Sequence, residues 1–406
     1  MFENIIGHDD VAARLRAEVA EGRLPSAVLF HGPRYTGKTT MALELARAVS
    51  CEEQGAWNCR CRACRQQRSL VHPYTLLLGT HYFLEEITVA AESLVGSPSR
   101  GTRFLFLRAV RKLLRRFDEV LWQSQEQRIS SVSGDVREVS ERLEELDSRR
   151  ELPDTARLAK LTEELRKKAG KIAAALPRDP VSTQAVRNVS HWSRTSGPMK
   201  VVILDGADRL NDGARNALLK TLEEPAPEVL FVLLAETKSA VMPTILSRLR
   251  QYEFKRRPRE LQQEVIRRVF RSDQVEYASL REYFLTRGFA GAVSIPSLAE
   301  AFYEAVVTPD AADAAERLAR IEESLQGMPD TEGFRYFFEE LAERARRILR
   351  RDVADEGPRI AQMETVEKWR DLIADAALRV GTLNMNPTAV CESLYYAMRQ
   401  VDAGVH

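Results

Sequence analysis

The chain has 406 residues and a mass of 46.0 kDa, which at roughly 100–200 residues per domain allows two to four domains and a sizeable core. Its 60 Lys and Arg face 59 Asp and Glu, a formal charge of +1, so a uniformly basic surface that coats nucleic acid is excluded. With 44% hydrophobic residues, wholesale disorder is excluded as well. The longest apolar run, Val229 to Ala235, is far short of a bilayer span. The opening MFENIIGHDDVAARL lacks the basic-then-apolar order of a secretory signal. A cytoplasmic protein without a membrane partner is expected.

The first elements are an amphipathic helix near Asp9–Ala20 and a buried strand, Ala27–His31. Residues 32–39 then read GPRYTGKT, which is Gly-x-x-x-x-Gly-Lys-Thr placed between that strand and a helix from Lys38 to Ser50. In this context the pattern is a phosphate cradle. Gly32, Pro33, Arg34, Tyr35, Thr36, Gly37, Lys38, Thr39 and Thr40 are the expected nucleotide-binding residues. Lys38 would reach the terminal phosphates of ATP or ADP, and Thr39 would offer its hydroxyl to Mg²⁺.

Four of the five cysteines follow at once: Cys51, Cys59, Cys61 and Cys64. Four thiols so close in a cytosolic chain read as a structural, tetrahedral Zn²⁺ site rather than a disulfide framework. The Cys59-x-Cys61 pair is tighter than the usual spacing, so reduced buried thiols are the competing explanation. His72 and His81 are read as loop residues, and Cys391 as core.

From about 85 to 178 the pattern changes to helical spacing on a charged background. Phe104, Leu107, Val110, Leu114, Phe117 and Leu121 form one stripe. Val132, Val136, Val139, Leu143 and Leu146 form another, and Leu158, Leu161, Leu165, Ile172 and Leu176 a third. A helical hairpin or small bundle serving protein contacts is expected. Residues 100–128 hold eight basic and three acidic side chains, and residues 248–259 six and one. Either stretch could meet DNA phosphates or acidic partners, although a solvated helix face is the commoner cause.

Between 179 and 257 the runs KVVILD (200–205) and VLFVLLA (229–235) have the length and composition of strands covered on both faces. Asp205 ends the first run, where a carboxylate can hold the Mg²⁺ shell. The next residue is Gly206, where many ATPases carry the Glu that activates water. The chain therefore reads as able to bind nucleotide but poorly equipped to hydrolyse it. The bland alternative for Asp205 is a turn residue after a strand. Residues 258–406 read as helix throughout.

FENIIGHDDVAARLRAEVAEGRLPSAVLFHGP, the cysteines after the first P-loop helix, NALLKTLEEP (216–225) and PTILSRLRQYEF (243–254) together resemble the bacterial DNA polymerase III clamp-loader subunits of the AAA+ class. The resemblance covers 1–84 and 179–257, reaches 258–406 only by helical character, and omits 85–178. It implies an α/β plus all-α fold. An AAA+ parallel-sheet domain over 1–257 would be interrupted at 85–178, followed by a helical lid (258–300) and a C-terminal helical collar (301–406).

Within the family, the departures favour the rigid delta-prime subunit over the gamma/tau motors. Gly206 replaces the catalytic Glu, Gly288-Phe289-Ala290-Gly291 lacks the lid's sensing arginine, and Tyr35 stands where a further Gly is common. The resemblance implies that Arg248, in Ser247-Arg248-Leu249, is an arginine finger for a neighbouring ATPase. It also implies gamma/tau and delta subunits, the sliding clamp and, mainly through these, primed DNA as partners. Its own ATPase activity would be weak or absent. The rival readings are an active gamma/tau-type motor and a motor-dead AAA+ scaffold in repair or recombination.

Overall fold

The structure is a computed structural model that describes residues 1–79, 83–147, 150–176, 181–272, 277, 279–288, 295–307, 311–326, 332–352, 360–381 and 385–403. The chain divides into two compact units, 1–288 and 289–406. The expected lid, 258–300, straddles that division.

The first unit opens with α1 (Asp9–Ala20), β1 (Ala27–His31), α2 (Lys38–Val49), α3 (Arg62–Arg68) and β2 (Thr75–Gly79). A helical stretch follows: α4 (Phe83–Gly96), α5 (Arg100–Leu114), α6 (Glu119–Trp122), α7 (Ser133–Leu143) and α8 (Thr155–Ala174). The α/β pattern resumes with α9 (Thr183–Ser193), β3 (Lys200–Asp205), α10 (Asp212–Glu223), β4 (Val229–Ala235), α11 (Pro243–Leu246) and β5 (Arg250–Glu253), and ends with α12 (Arg259–Phe270) and α13 (Leu280–Gly288).

The five strands are all parallel, in the order β2-β3-β4-β1-β5. Alternating side chains cover the two faces, which is why the strands read as unbroken apolar runs. Leu29, Val202, Leu204, Phe231 and Leu233 pack with α9 and α10 through Val186, Val189, Ala214 and Leu218. Val28, Phe30, Ile203, Val232 and Leu234 pack on the other side with Leu15, Met41 and Leu45 of α1 and α2. Two strands are not visible in the sequence pattern. β2 is buried throughout, but Thr75 and Gly79 at its ends leave an apolar stretch of only three leucines. β5 is an edge strand with only Tyr252 buried.

Helices α4, α5, α7 and α8 make a bundle with its own core, including Ile87, Leu94, Phe106, Leu107, Val110, Val139, Leu143, Leu158 and Leu165. Two of the three stripes lie as expected. The first is displaced: α5 buries Phe106, Leu107, Val110 and Leu113, whereas Phe104 is exposed and Leu121 joins the core of the sheet. The cause is that α5 stops at Leu114, so the heptad count does not run on to Leu121.

The opposite face of α5 corrects the reading of the basic stretch. Arg108 Nη1 donates to the carbonyl of Arg68 (2.6 Å), Arg111 to Ser69 (3.0 Å) and Arg115 to His72 (3.2 Å) and Thr75. Arg103 donates to the carbonyls of Asp147 (3.1 Å) and Arg150 (2.7 Å). These cations dock and brace the bundle inside the molecule. Arg108 and Arg111 reach carbonyls at the C-terminal end of α3, where the helix dipole also favours positive charge.

The second unit holds α14 (Ile295–Val307), α15 (Ala311–Gln326), α16 (Glu332–Asp352), α17 (Ile360–Gly381) and α18 (Pro387–Ala403). Its core includes Phe302, Phe337, Phe338, Trp369 and Tyr395, with Cys391 buried among them. Two polar atoms in that core are satisfied by main chain: the Tyr303 hydroxyl donates to Leu341 O (2.9 Å) and the Trp369 indole to Met398 O (3.0 Å). Among the described residues, no helix is long and apolar enough to cross a membrane.

Candidate nucleotide-binding site and metal centre

The loop 32–37 leaves the carboxyl end of β1 at the sheet's upper edge, the side where doubly wound sheets bind ligands. Gly32 has φ +143°, and a Cβ there would lie 2.0 Å from the Phe254 carbonyl oxygen, so only glycine passes. Gly37, at φ +90°, serves as N-cap of α2 and leaves the first helical N–H groups open to an anion. Thr36 Oγ1 donates to Pro33 O (2.8 Å), and a His8 ring nitrogen meets Thr36 O (2.9 Å).

One pocket gathers the expected residues Arg34 to Thr40 together with Asp205 and Glu236. Ile5, Ile6, Val265, Phe270, Leu280 and Phe284 also line it, so it has a polar and an apolar part. A phosphate chain and a nucleobase make those two demands. Lys38 is buried, and its ammonium donates to the carbonyls of Gly32 (2.5 Å) and Pro33 (2.7 Å). Burial lowers its pKa, while Glu236, Asp205 and Asp208 oppose that shift. The structure therefore brings Lys38 and Asp205 into one electrostatic neighbourhood.

Gly206 follows Asp205 at φ +86°. Asp208 is committed elsewhere, since its Oδ2 accepts from the amides of Glu236 and Thr237, both at 3.0 Å. No carboxylate stands at the position after Asp205.

Several pocket residues escape sequence reasoning. Arg257 donates to Ile6 O (2.7 Å) and Tyr35 O (2.9 Å), strapping the loop to the N-terminal segment. Burial pushes its pKa down to about 10. Glu85, from the start of α4, accepts from the Tyr35 hydroxyl (2.7 Å) and pairs with Arg34 (3.7 Å). Phe284 of α13 stacks on the Tyr35 ring, 5.1 Å between centroids. Outside the pocket lining, burial pushes the Arg116 pKa down to about 10, and the Asp205 carboxylate opposes that shift. These contacts join segments far apart in sequence, so no local pattern announces them.

Arg248 does not line this pocket. It is exposed beside the start of β5, with Nη1 on Thr244 O (2.6 Å) and Nη2 on Glu223 Oε1 (2.7 Å). Leu249, the departure from the Ser-Arg-Cys pattern, is buried in the sheet's core. Of the other basic residues at 248–259, Arg250 pairs with Glu18 at 3.0 Å. Phe289, Ala290 and Gly291, where the sensing arginine is missing, and His81 lie outside the described residues.

A separate groove is lined by Arg187, His191 and Arg194 from α9 and the residue after it, and by Lys220 and Asn216 of α10, with no acidic side chain. The spacing 187-191-194 places two arginines and an imidazole on one helical face, a signal present in the sequence but not taken up there.

In the cysteine cluster the four Sγ atoms lie within 4.8 Å of one another, with Cys51–Cys59 at 3.6 Å and Cys51–Cys61 at 3.9 Å. A tetrahedral site with Zn–S of about 2.3 Å needs sulfurs about 3.8 Å apart, so the donor set fits Zn²⁺. The supporting shell is also present. The Gly55 amide donates to Cys51 (3.2 Å), the Cys64 amide to Cys61 (3.3 Å) and the Arg47 guanidinium to Cys64 (3.1 Å). Arg47 is fully buried and anchored on Glu44 and on the carbonyls of Gly55 (2.8 Å) and Ala56 (3.1 Å). His72 stands apart, accepting from the Tyr74 amide (3.3 Å).

Comparison with known proteins agrees with this architecture. The family described as DNA polymerase III, delta subunit, matches residues 7–100 and 166–258, leaving out most of the inserted bundle. The DNA polymerase III subunit delta' of Haemophilus influenzae is 53% identical over 49 residues, 12% of this chain and 15% of that protein. The DNA polymerase III subunit tau of Bacillus subtilis is 38% identical over 71 residues, 18% of this chain and 13% of that protein. Replication factor C small subunit 1 of Pyrobaculum arsenaticum is 35% identical over 92 residues, 22% and 28% of the two chains. The matches thus cover well under a third of these relatives' own length. A solved Thermotoga maritima protein, DNA polymerase III gamma subunit-related, aligns over 96% of this chain and 98% of its own at 13% identity and a TM-score of 0.37. The matched segments 7–100 and 166–258, which hold the P-loop and all five strands, make the chain similar to clamp-loader AAA+ proteins, delta' subunits among them.

Proposed function

We propose that the chain is a delta-prime-like subunit of a clamp loader, one that binds nucleotide without turning it over. The observation that carries this reading is the pairing of an intact Lys38–Thr39 cradle with Gly206 after Asp205, in a pocket where Asp208 is already engaged. Gly32 to Thr40 would hold the phosphates, and Thr39 with Asp205 the Mg²⁺. The bound metal would neutralise phosphate charge. Cys51, Cys59, Cys61 and Cys64 would hold a structural Zn²⁺. Gamma/tau and delta subunits would be its partners in a hetero-oligomeric ring that acts on a sliding clamp.

Arg248 supports the same reading, because it is exposed and absent from the chain's own pocket. It would act on a neighbour's nucleotide. The groove of Arg187, His191, Arg194 and Lys220 suits a phosphate backbone and would give the chain a direct share in holding primed DNA.

Two measurements test this. The purified chain should bind ADP and ATP in a Lys38-dependent manner while releasing phosphate no faster than its Lys38→Ala variant. Turnover abolished by Lys38→Ala would instead establish a gamma/tau-type motor. Co-purification should recover clamp-loader subunits; recovery of repair or recombination proteins in their place would establish a motor-dead scaffold.

A further inference from the structure

The helical bundle reaches the phosphate loop at Tyr35 through α4. This residue has φ +59°, a left-handed conformation that costs a non-glycine residue roughly 1–2 kcal/mol. Such strain persists only where the surroundings over-determine it. Here several contacts do so: Arg257 donates to the Tyr35 carbonyl (2.9 Å), the Tyr35 hydroxyl donates to Glu85 of α4 (2.7 Å), and the ring stacks on Phe284 of α13. One turn along α4, Val89 packs against Phe270 and Tyr283, so the helix carrying Glu85 is itself seated on α12 and α13.

The same carboxylate engages Arg34, at 3.7 Å, with both side chains almost wholly buried. Arg34 is a cation of the phosphate loop, and its charge faces Glu85. Lys38, the other loop cation, lies on the loop's own carbonyls. Glu85 also lines the pocket, where a buried negative charge opposes an incoming polyanion.

We propose that Glu85 of α4 clasps the phosphate loop through Tyr35 and Arg34, and thereby lowers the chain's affinity for nucleoside diphosphates and triphosphates. This rests on the nucleotide-binding reading of the pocket. Helix α4 is then a restraint built onto the cradle, and any partner that shifts the bundle shifts nucleotide affinity. A ligand that needs the open loop binds with its intrinsic constant divided by the fraction of open molecules.

The test uses the full chain and two conservative variants. Glu85→Gln keeps an acceptor for Tyr35 but removes the charge; Tyr35→Phe keeps the stacking but removes the hydrogen bond. Amide hydrogen exchange over residues 34–37 of the ligand-free protein should accelerate at least threefold in both. Calorimetric titration with MgADP should show about tenfold tighter binding for Glu85→Gln and a few-fold gain for Tyr35→Phe. Unchanged exchange overturns the clasp, whatever happens to binding. Faster exchange with unchanged or weaker MgADP binding overturns the effect on affinity. If the wild type and both variants bind MgADP no better than Lys38→Ala, the nucleotide-binding reading and the affinity effect both fall, and exchange alone decides whether the loop is clasped.

Discussion

Arg108 donates from Nη1 to the main-chain oxygen of Arg68 at 2.6 Å, tying the inserted bundle to the end of the helix that carries Cys64. Burial pushes the Arg108 pKa down to about 10, with Glu86 and Glu44 opposing, so it remains cationic near neutrality. Arg108→Met keeps the alkyl packing and removes the donor. A hydrogen bond from a charged group is worth roughly 1.5–3 kcal/mol. We predict a fall of several degrees in the first thermal transition, together with faster exchange in α3. An unchanged melting curve would show that Arg111 and Arg115 dock the bundle without it.

Much of this arrangement is legible in sequence, for identifiable reasons. β1, β3 and β4 are buried on both faces, so each reads as an unbroken apolar run. The P-loop declares itself because its glycines are needed where they stand: no side chain fits between Gly32 and Phe254 O. Long-range partners do not declare themselves. Glu85 looks like any acid in a first helical turn, and Arg257 like one of a basic run. Only the fold sets them against Tyr35. The arginines of α5 mislead for the same reason, since charge density reports nothing about whether water, DNA or a carbonyl accepts the hydrogen bonds.

The cysteine cluster predicts about one zinc per purified chain by elemental analysis. Cys64→Ser should lose most of it. The loss should also free Arg47, whose Nη1 bonds Cys64 Sγ at 3.1 Å, and so loosen the 51–61 loop to proteolysis. Zinc well below one equivalent in freshly prepared wild type would leave the four thiols as a reduced buried cluster.

Acidification should destabilise the first unit through its histidines. His8, His31 and His72 all titrate below the ordinary 6.5, in each case chiefly because burial disfavours the charged ring. Cations add to this: Arg257 at His8, Lys238 and Lys38 at His31, and Arg115 at His72. Near and just below pH 6.5 the unfolded chain binds protons that the folded chain refuses. Stability therefore rises with pH up to about 6.5 and is lost as pH falls toward the lowered folded values. Melting temperature should drop between pH 7.5 and 5.5, and His72→Gln should flatten part of that slope. A slope identical to wild type would remove His72 as a contributor.

Arg248→Ala should leave this chain's own stability and nucleotide affinity nearly unchanged. Its pair with Glu223 is partly exposed, and such pairs contribute at most about 1 kcal/mol. The effect should appear in the assembled complex, where a trans arginine is worth roughly 10³–10⁵ in phosphoryl-transfer rate. ATP turnover by the reconstituted complex, measured with Glu223→Gln as the control for the pair itself, separates a finger from a surface ion pair. Equal loss in the two variants would assign the effect to the pair.

Two glycines give opposite predictions from one substitution. Gly79 ends β2 beside Asp205 in register, at φ +110°, and a Cβ there would sit 1.9 Å from the Asp205 carbonyl oxygen. Alanine must therefore push apart the strand ends that present Asp205 and Gly206, and the backbone itself resists the conformation. Gly79→Ala should cost at least about 2 kcal/mol and weaken the Mg²⁺ dependence of nucleotide binding. Gly170 lies inside α8, and a Cβ there would meet nothing within 4 Å. Gly170→Ala should stabilise the bundle by roughly 0.5–1 kcal/mol, through helix propensity alone. Thermal melts and MgADP titrations of the two variants, side by side, check both signs. If Gly79→Ala melts like wild type, the close approach of β2 to Asp205 does not hold the Asp205 end of the sheet in place.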